Sequence, residues 1–194
     1  MVRHPIDIVI SLHNEELRAF NENIESAEEA WFAQADRLMG RRVPKACRHV
    51  DLLNYAARAS IGNQTVAAGN LIPECDLKII FQNEMAQNPA QIYHEVLEYL
   101  GIPDDGRSEF NRENRYSEWR APWLQKTLRH LSRFRRLFGI RGSIGVLPLI
   151  AKANRRDSTK PELSERLLND MRQRFLPEIQ ALELATGRDL SHWK

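Results

Sequence analysis

Hydrophobic positions recur along most of this chain at helical spacing. Near its start Ile6, Val9, Ile10 and Leu17 fall on one face of a helix whose other face carries Asp7, Ser11 and Asn14. Pro5 suits the first helical position, because its missing N–H would have no intrahelical partner there and its φ is already helical. The opening residues therefore read as the end of a buried strand turning straight into a helix at about Pro5, with Arg3 in the turn just outside it. The unpaired N–H groups and the macrodipole at such an end favour a bound anion. An arginine in that turn and a hydroxyl at Ser11, two turns further on, can hold one phosphate between them. His13 falls on the apolar stripe and reads as a packed core histidine rather than a base.

Ser26 followed by Glu29 is a capping-box signature, and Ala30, Phe32 or Ala33, and Leu38 predict a short amphipathic helix that Gly40 can end. A helix is predicted over 50–71, carrying Leu52, Leu53, Ala56, Ala59, Ser60 and Val66, broken or kinked near Gly62, where close helix packing is expected. Leu77 to Phe81 is a short apolar run with β-branched residues, bounded by polar ones, and predicts a buried strand of a parallel sheet. Asn88 and Pro89 then open a helix with Ile92, Val96, Leu97 and Leu100 inward and Gly101 at its end, completing a βα unit. Asp104-Asp-Gly106 is a turn signal. A helix starting at Pro161 presents Leu163, Leu167, Leu168 and Met171; Pro177 is expected to interrupt it and begin another, with Ile179, Leu182 and Leu184 inward and Gly187 as cap. Trp193 reads as an aromatic plug on the domain.

Composition narrows the class. A chain of 194 residues that is 42% hydrophobic can bury a core and forms one globular domain or most of one. Its net charge of +2 gives no bulk argument for a nucleic-acid partner. The charge is nevertheless uneven. Residues 15–29 are rich in acid, whereas from Arg120 to Arg156 there is no acid and there are ten Lys or Arg. Within that stretch Leu124, Leu128, Leu131, Phe134 and Phe138 share one helical face and Arg129, Arg133 and Arg136 another, predicting a basic amphipathic helix over 123–138. Cys47 and Cys75 match neither a metal-binding spacing nor a disulfide framework, so two reduced thiols in a cytoplasmic protein are expected, with no metal. No signal peptide is read, and no apolar run approaches the roughly 20 residues of a membrane span.

Arg3-His-Pro-Ile-Asp7 followed by Ser11 resembles the 3′-phosphate-binding segment of sulfotransferases that use 3′-phosphoadenosine 5′-phosphosulfate (PAPS). The resemblance continues in order through Ser11-Leu-His13, Asn21-Glu22, Trp31, Gln34, Arg37 and Gly40, Val43-Pro44, Cys47, Leu53 and Tyr55, then Gly62-Asn-Gln64. Ile79 to Pro89 and Tyr99 to Pro103 resemble the family's strand, acidic pair and following helix, although Asn83-Glu84 stands where the family usually has Glu-Asp. That pair is expected to bond neighbouring backbone at a strand end. Phe110, Asn114 and Arg120 resemble positions in a loop near the nucleotide or acceptor, Arg141 to Gly145 faintly resembles a phosphate loop, and Leu176 to Trp193 resembles the terminus of bacterial members.

The resemblance implies an α/β, P-loop-NTPase-like sulfotransferase fold, present here as an incomplete parallel sheet with mainly helical content. It implies sulfuryl transfer from PAPS to a hydroxyl or amine acceptor, leaving 3′,5′-adenosine bisphosphate, with Arg3 and Ser11 on the 3′-phosphate and Asn114 and Arg120 as further nucleotide contacts. No Gly-rich P-loop motif occurs in the sequence, and the family's 5′-phosphosulfate loop and usual base lie on the N-terminal side of the position Arg3 occupies. The expectation is therefore that residues 1–194 are the C-terminal two-thirds of one sulfotransferase domain, inactive alone. The rival reading is a non-enzymatic helical protein that binds anionic membrane or nucleic acid through the basic helix 123–138.

Overall fold

The computed structural model of the chain describes residues 1–73, 76–111, 116–121, 123–124, 127, 149–150 and 153–194. These fall into two compact units, one formed by Met1–Glu113 with Glu162–Lys194 and the other by Asn114–Pro161.

In the first unit α1 spans Pro5–Arg18, starting where the proline predicts. The expected second helix is two short ones, α2 (Ala27–Phe32) and α3 (Gln34–Leu38), joined at Ala33. Ser26 caps α2 through its hydroxyl, which accepts the Glu29 N–H at 3.3 Å. The inward residues are Ala30, Trp31, Ala33 and Arg37, while Phe32 and Leu38 are exposed. Trp31 decides this rotation: its indole N–H donates to Asp170 at 2.7 Å and its ring packs 5.7 Å from that of Phe175. Burying the larger ring turns Phe32 outward, where Arg166 covers it.

The helix expected over 50–71 is three pieces: a 3₁₀ turn at Val50–Leu53, α4 (Tyr55–Arg58) and α5 (Ile61–Leu71). The Asn54 side chain accepts the Ala57 N–H at 3.3 Å and so starts a new helix rather than continuing the old one. The expected break near Gly62 falls at residues 59–60, between α4 and α5, and Gly62 itself lies in the first turn of α5. A Cβ there would stand 2.0 Å from the Glu178 carbonyl oxygen, so the expected close packing is present and only glycine fits it. Then come α6 (Gln82–Gln87), which hydropathy did not mark, and α7 (Pro89–Leu100), ended by Gly101 at φ 65°.

The last helix, α8, runs from Glu165 to Thr186 without a break. It begins later than Pro161 suggests, because the Ser164 hydroxyl accepts the Leu167 N–H at 3.1 Å. Pro177 stays inside it, contrary to the expected interruption. The two halves of α8 pack into different parts of the core: Leu167, Met171 and Phe175 join Val9, Trp31, Leu53 and Tyr55, and Ile179 and Leu182 join Val2, Phe81, Leu190 and Trp193. Burial on both sides of the proline outweighs the one backbone bond it removes. Leu184 points to solvent instead of inward, and Gly187 caps the end at φ 64°.

The sheet differs most from expectation. Among the described residues parallel pairing is a single bridge between Val2 and Phe81, with Val2 donating to the Ile80 carbonyl at 2.7 Å and Gln82 donating to that of Val2 at 2.8 Å. The other β structure is antiparallel: in the second unit β1 (Ser117–Trp119) pairs with β2 (Arg155–Asp157), Glu118 opposite Arg156. Among the described residues the expected incomplete parallel sheet is thus corrected to a mainly helical fold with one parallel contact and a small antiparallel pair. Three residues per strand carry too little alternation to be read from sequence. The Arg141–Gly145 segment and all of the basic helix over 123–138 except residues 123, 124 and 127 lie outside the described residues.

Candidate anion site at the start of helix α1

Arg3 precedes α1, partly buried, with its guanidinium leaning along the helix to within 3.9 Å of the Asp7 carboxylate. Its Nε is buried without a hydrogen-bond partner. Ser11 is exposed and lies four residues past Asp7, so Arg3, Asp7 and Ser11 follow one line along the helix surface. Asn14, expected on the same polar face, is buried instead.

His4, which the sequence reading passed over, occupies the N-cap position. Its Nδ1 accepts the Ile6 N–H at 3.2 Å, so the single proton of the neutral ring sits on Nε2 and is donated to the Trp193 carbonyl at 3.1 Å. The two rings pack 5.3 Å apart. Burial pushes this imidazole below the ordinary histidine value, against the upward pull of the Trp193 carbonyl and the Asp7 carboxylate. The place of residue 4 directly before Pro5 is the local signal for a cap; its second partner lies at the far end of the chain and left none.

Beneath α1 is a buried polar network that gives its helix a fixed seat. Glu22 accepts from Arg37 at 2.7 Å, from the Tyr55 hydroxyl at 2.7 Å, and from the N–H groups of Asn23 and Ile24 at 2.8 and 2.9 Å. Burial alone would raise the Glu22 carboxyl, but the bonds from Ile24, Tyr55 and Arg37 outweigh it and hold it below the usual range. Burial and the facing carboxylate push Tyr55 well above the usual phenol value. Glu16, also buried, accepts from Asn21 at 2.7 Å and from Arg58 at 2.6 Å. His13 is buried too, bonded to the Ile24 carbonyl at 2.9 Å and edge-on to Tyr55, with burial lowering its pKa. Both carboxylate oxygens of Glu22 are engaged inside the fold, and the cluster ties together the helices it touches.

Of the other expected site residues, Arg120 is exposed in the second unit, where its N–H donates to the Asn154 carbonyl at 2.7 Å. Asn114 lies outside the described residues. Glu84 bonds a side chain rather than backbone, pairing with Arg188, whose guanidinium also covers Phe81. Among the described residues no cluster of three potential metal ligands occurs, and no helix is long and apolar enough to cross a membrane.

A single parallel bridge among the described residues joins the residues before α1 to the start of α6, inside a mainly helical unit. The crystal structure of a sulfotransferase from Alicyclobacillus acidocaldarius shares this fold, with a TM-score of 0.60 and 19% identity over 100% of this chain. The chain spans 55% of the length of that protein. No protein-family model and no curated protein sequence matches the chain.

Proposed function

We propose that this chain is a sulfotransferase-type nucleotide binder that grips the 3′-phosphate of PAPS, or of its product 3′,5′-adenosine bisphosphate, at the start of α1. The observation that carries the reading is the line of Arg3, Asp7 and Ser11 along the helix, with the Arg3 guanidinium partly exposed beside the helix end. The partly exposed Arg3 guanidinium donates to one phosphate oxygen, a second accepts from Ser11, and the helix end favours the charge. Asp7 fits beside such an anion as the group that orients the guanidinium. The shared fold supports the same reading.

In a complete enzyme the residues at the start of α1 hold the nucleotide while the sulfuryl group passes to a hydroxyl or amine. Because the sequence contains no Gly-rich phosphate loop, the 194 residues are proposed to bind the bisphosphate without turning over PAPS. A reducing, cytoplasmic setting goes with this reading.

Calorimetric titration with 3′,5′-adenosine bisphosphate tests it. Arg3→Ala and Ser11→Ala should each weaken binding, by about tenfold or more for the charged contact, while adenosine 5′-phosphate, lacking the 3′-phosphate, should bind both variants and the parent alike. Equal affinity of the parent and Arg3→Ala for the bisphosphate would end the proposal.

A further inference from the structure

The start of α1 carries a titratable group that the nucleotide reading leaves unused. His4 stands between Arg3 and Pro5, and only its neutral form makes both bonds seen here, accepting from Ile6 through Nδ1 and donating to Trp193 through Nε2. A proton on Nδ1 turns the acceptor into a donor and repels the Ile6 N–H. The ring then has to swing about its Trp193 bond, which frees one more N–H at the helix end and adds a positive charge beside Arg3. Both changes favour an anion.

We propose that His4 is a proton-linked positioning residue for the 3′-phosphate, so that nucleotide binds the start of α1 together with a proton. This rests on the assignment of that phosphate to Arg3 and Ser11. The groups facing His4 set the balance. Burial, His192 of the C-terminal turn and Arg172 of α8 oppose the proton, whereas the Trp193 carbonyl and Asp7 on α1 favour it. In the free chain the opposition prevails. A phosphate at Arg3 joins the side of Asp7, and by reciprocity the protonated ring holds that phosphate more tightly.

The histidine ring resonances of the full chain, followed by NMR from pH 5 to 8, test this; His4→Asn, whose amide oxygen can still accept the Ile6 N–H, assigns the His4 signal. Saturating 3′,5′-adenosine bisphosphate should move the His4 midpoint up by about 0.5 to 1 pH unit, a roughly three- to tenfold tighter complex of the protonated form. Calorimetry near pH 6 in buffers of different ionisation enthalpy should show more proton uptake for the parent than for His4→Asn, which shares the ligand's own titration. An unchanged or lowered midpoint with nucleotide bound overturns the proposal and leaves the nucleotide reading standing. No binding at any pH overturns both.

Discussion

Glu22 is the residue on which most of the buried polar chemistry converges. Its partner Arg37 is 1% exposed, so removing the carboxylate strands a charge in the interior. Glu22→Gln should therefore cost about 3–5 kcal/mol in a urea melt, whereas Tyr55→Phe, which removes one bond to a charged acceptor, should cost about 1.5–3 kcal/mol. Losses of similar size in the two variants would mean that Arg37 finds another partner. Two glycines on α5 make an opposite pair. Gly62→Ala drives a methyl into the Glu178 backbone and should destabilise by about 1–3 kcal/mol or more. Gly69 faces open space in the same helix, and Gly69→Ala should stabilise by roughly 0.4–1 kcal/mol. Thermal melts of the two proteins should move in opposite directions.

At the scale of elements, α8 is the part that holds the first unit together, because it packs along α5 and reaches both clusters of the core. Its Glu178 carboxylate accepts the Asn63 N–H at 3.0 Å and the Asn63 amide at 2.7 Å, supplying the cap that Ser60 does not make for α5. The start of α8 depends in turn on Ser164. Ser164→Ala should lower stability by about 1 kcal/mol, read as a fall of a few degrees in the melting temperature. A comparable change at Ser26, which caps only six residues, should fray α2 with a smaller global effect. A fall at Ser26 as large as that at Ser164 would show α2, not α8, to be the critical helix.

For the whole molecule the sign of the pH dependence follows from the buried groups. His4 and His13 both titrate below the ordinary histidine value of 6.5 when folded, so the unfolded chain binds more protons as acid is added. Their contribution to stability is complete above pH 6.5 and is lost as the pH falls through their folded values. Glu22 is held below 4.5, so its contribution is present above that pH and is lost lower still. Melting temperatures taken from pH 8 to pH 3 should therefore fall in two stages. Tyr55→Phe should reduce the second, since its hydroxyl is one of the bonds that lower Glu22, and leave the first in place. A single fall confined below pH 4 would contradict the histidine part.

The chain order alone determined the elements whose signals are local. Pro5 and Gly101 mark helix ends through their own backbone chemistry, Ser26 and Gly187 do the same, and Arg3 with Ser11 stand at a helix start whoever their neighbours are. The resemblance to sulfotransferases was legible for the same reason, as an ordered series of residues. What only the tertiary structure decided involves partners distant in sequence. Trp31 meeting Asp170 rotated a helix by one residue, burial on both sides of Pro177 kept α8 whole, Glu22 found Arg37 and Tyr55, and His4 found the Trp193 carbonyl. Local propensity is worth a fraction of a kcal/mol per residue, while a buried aromatic or a paired charge is worth several times that. Where the two disagreed in this chain, the distant contact prevailed.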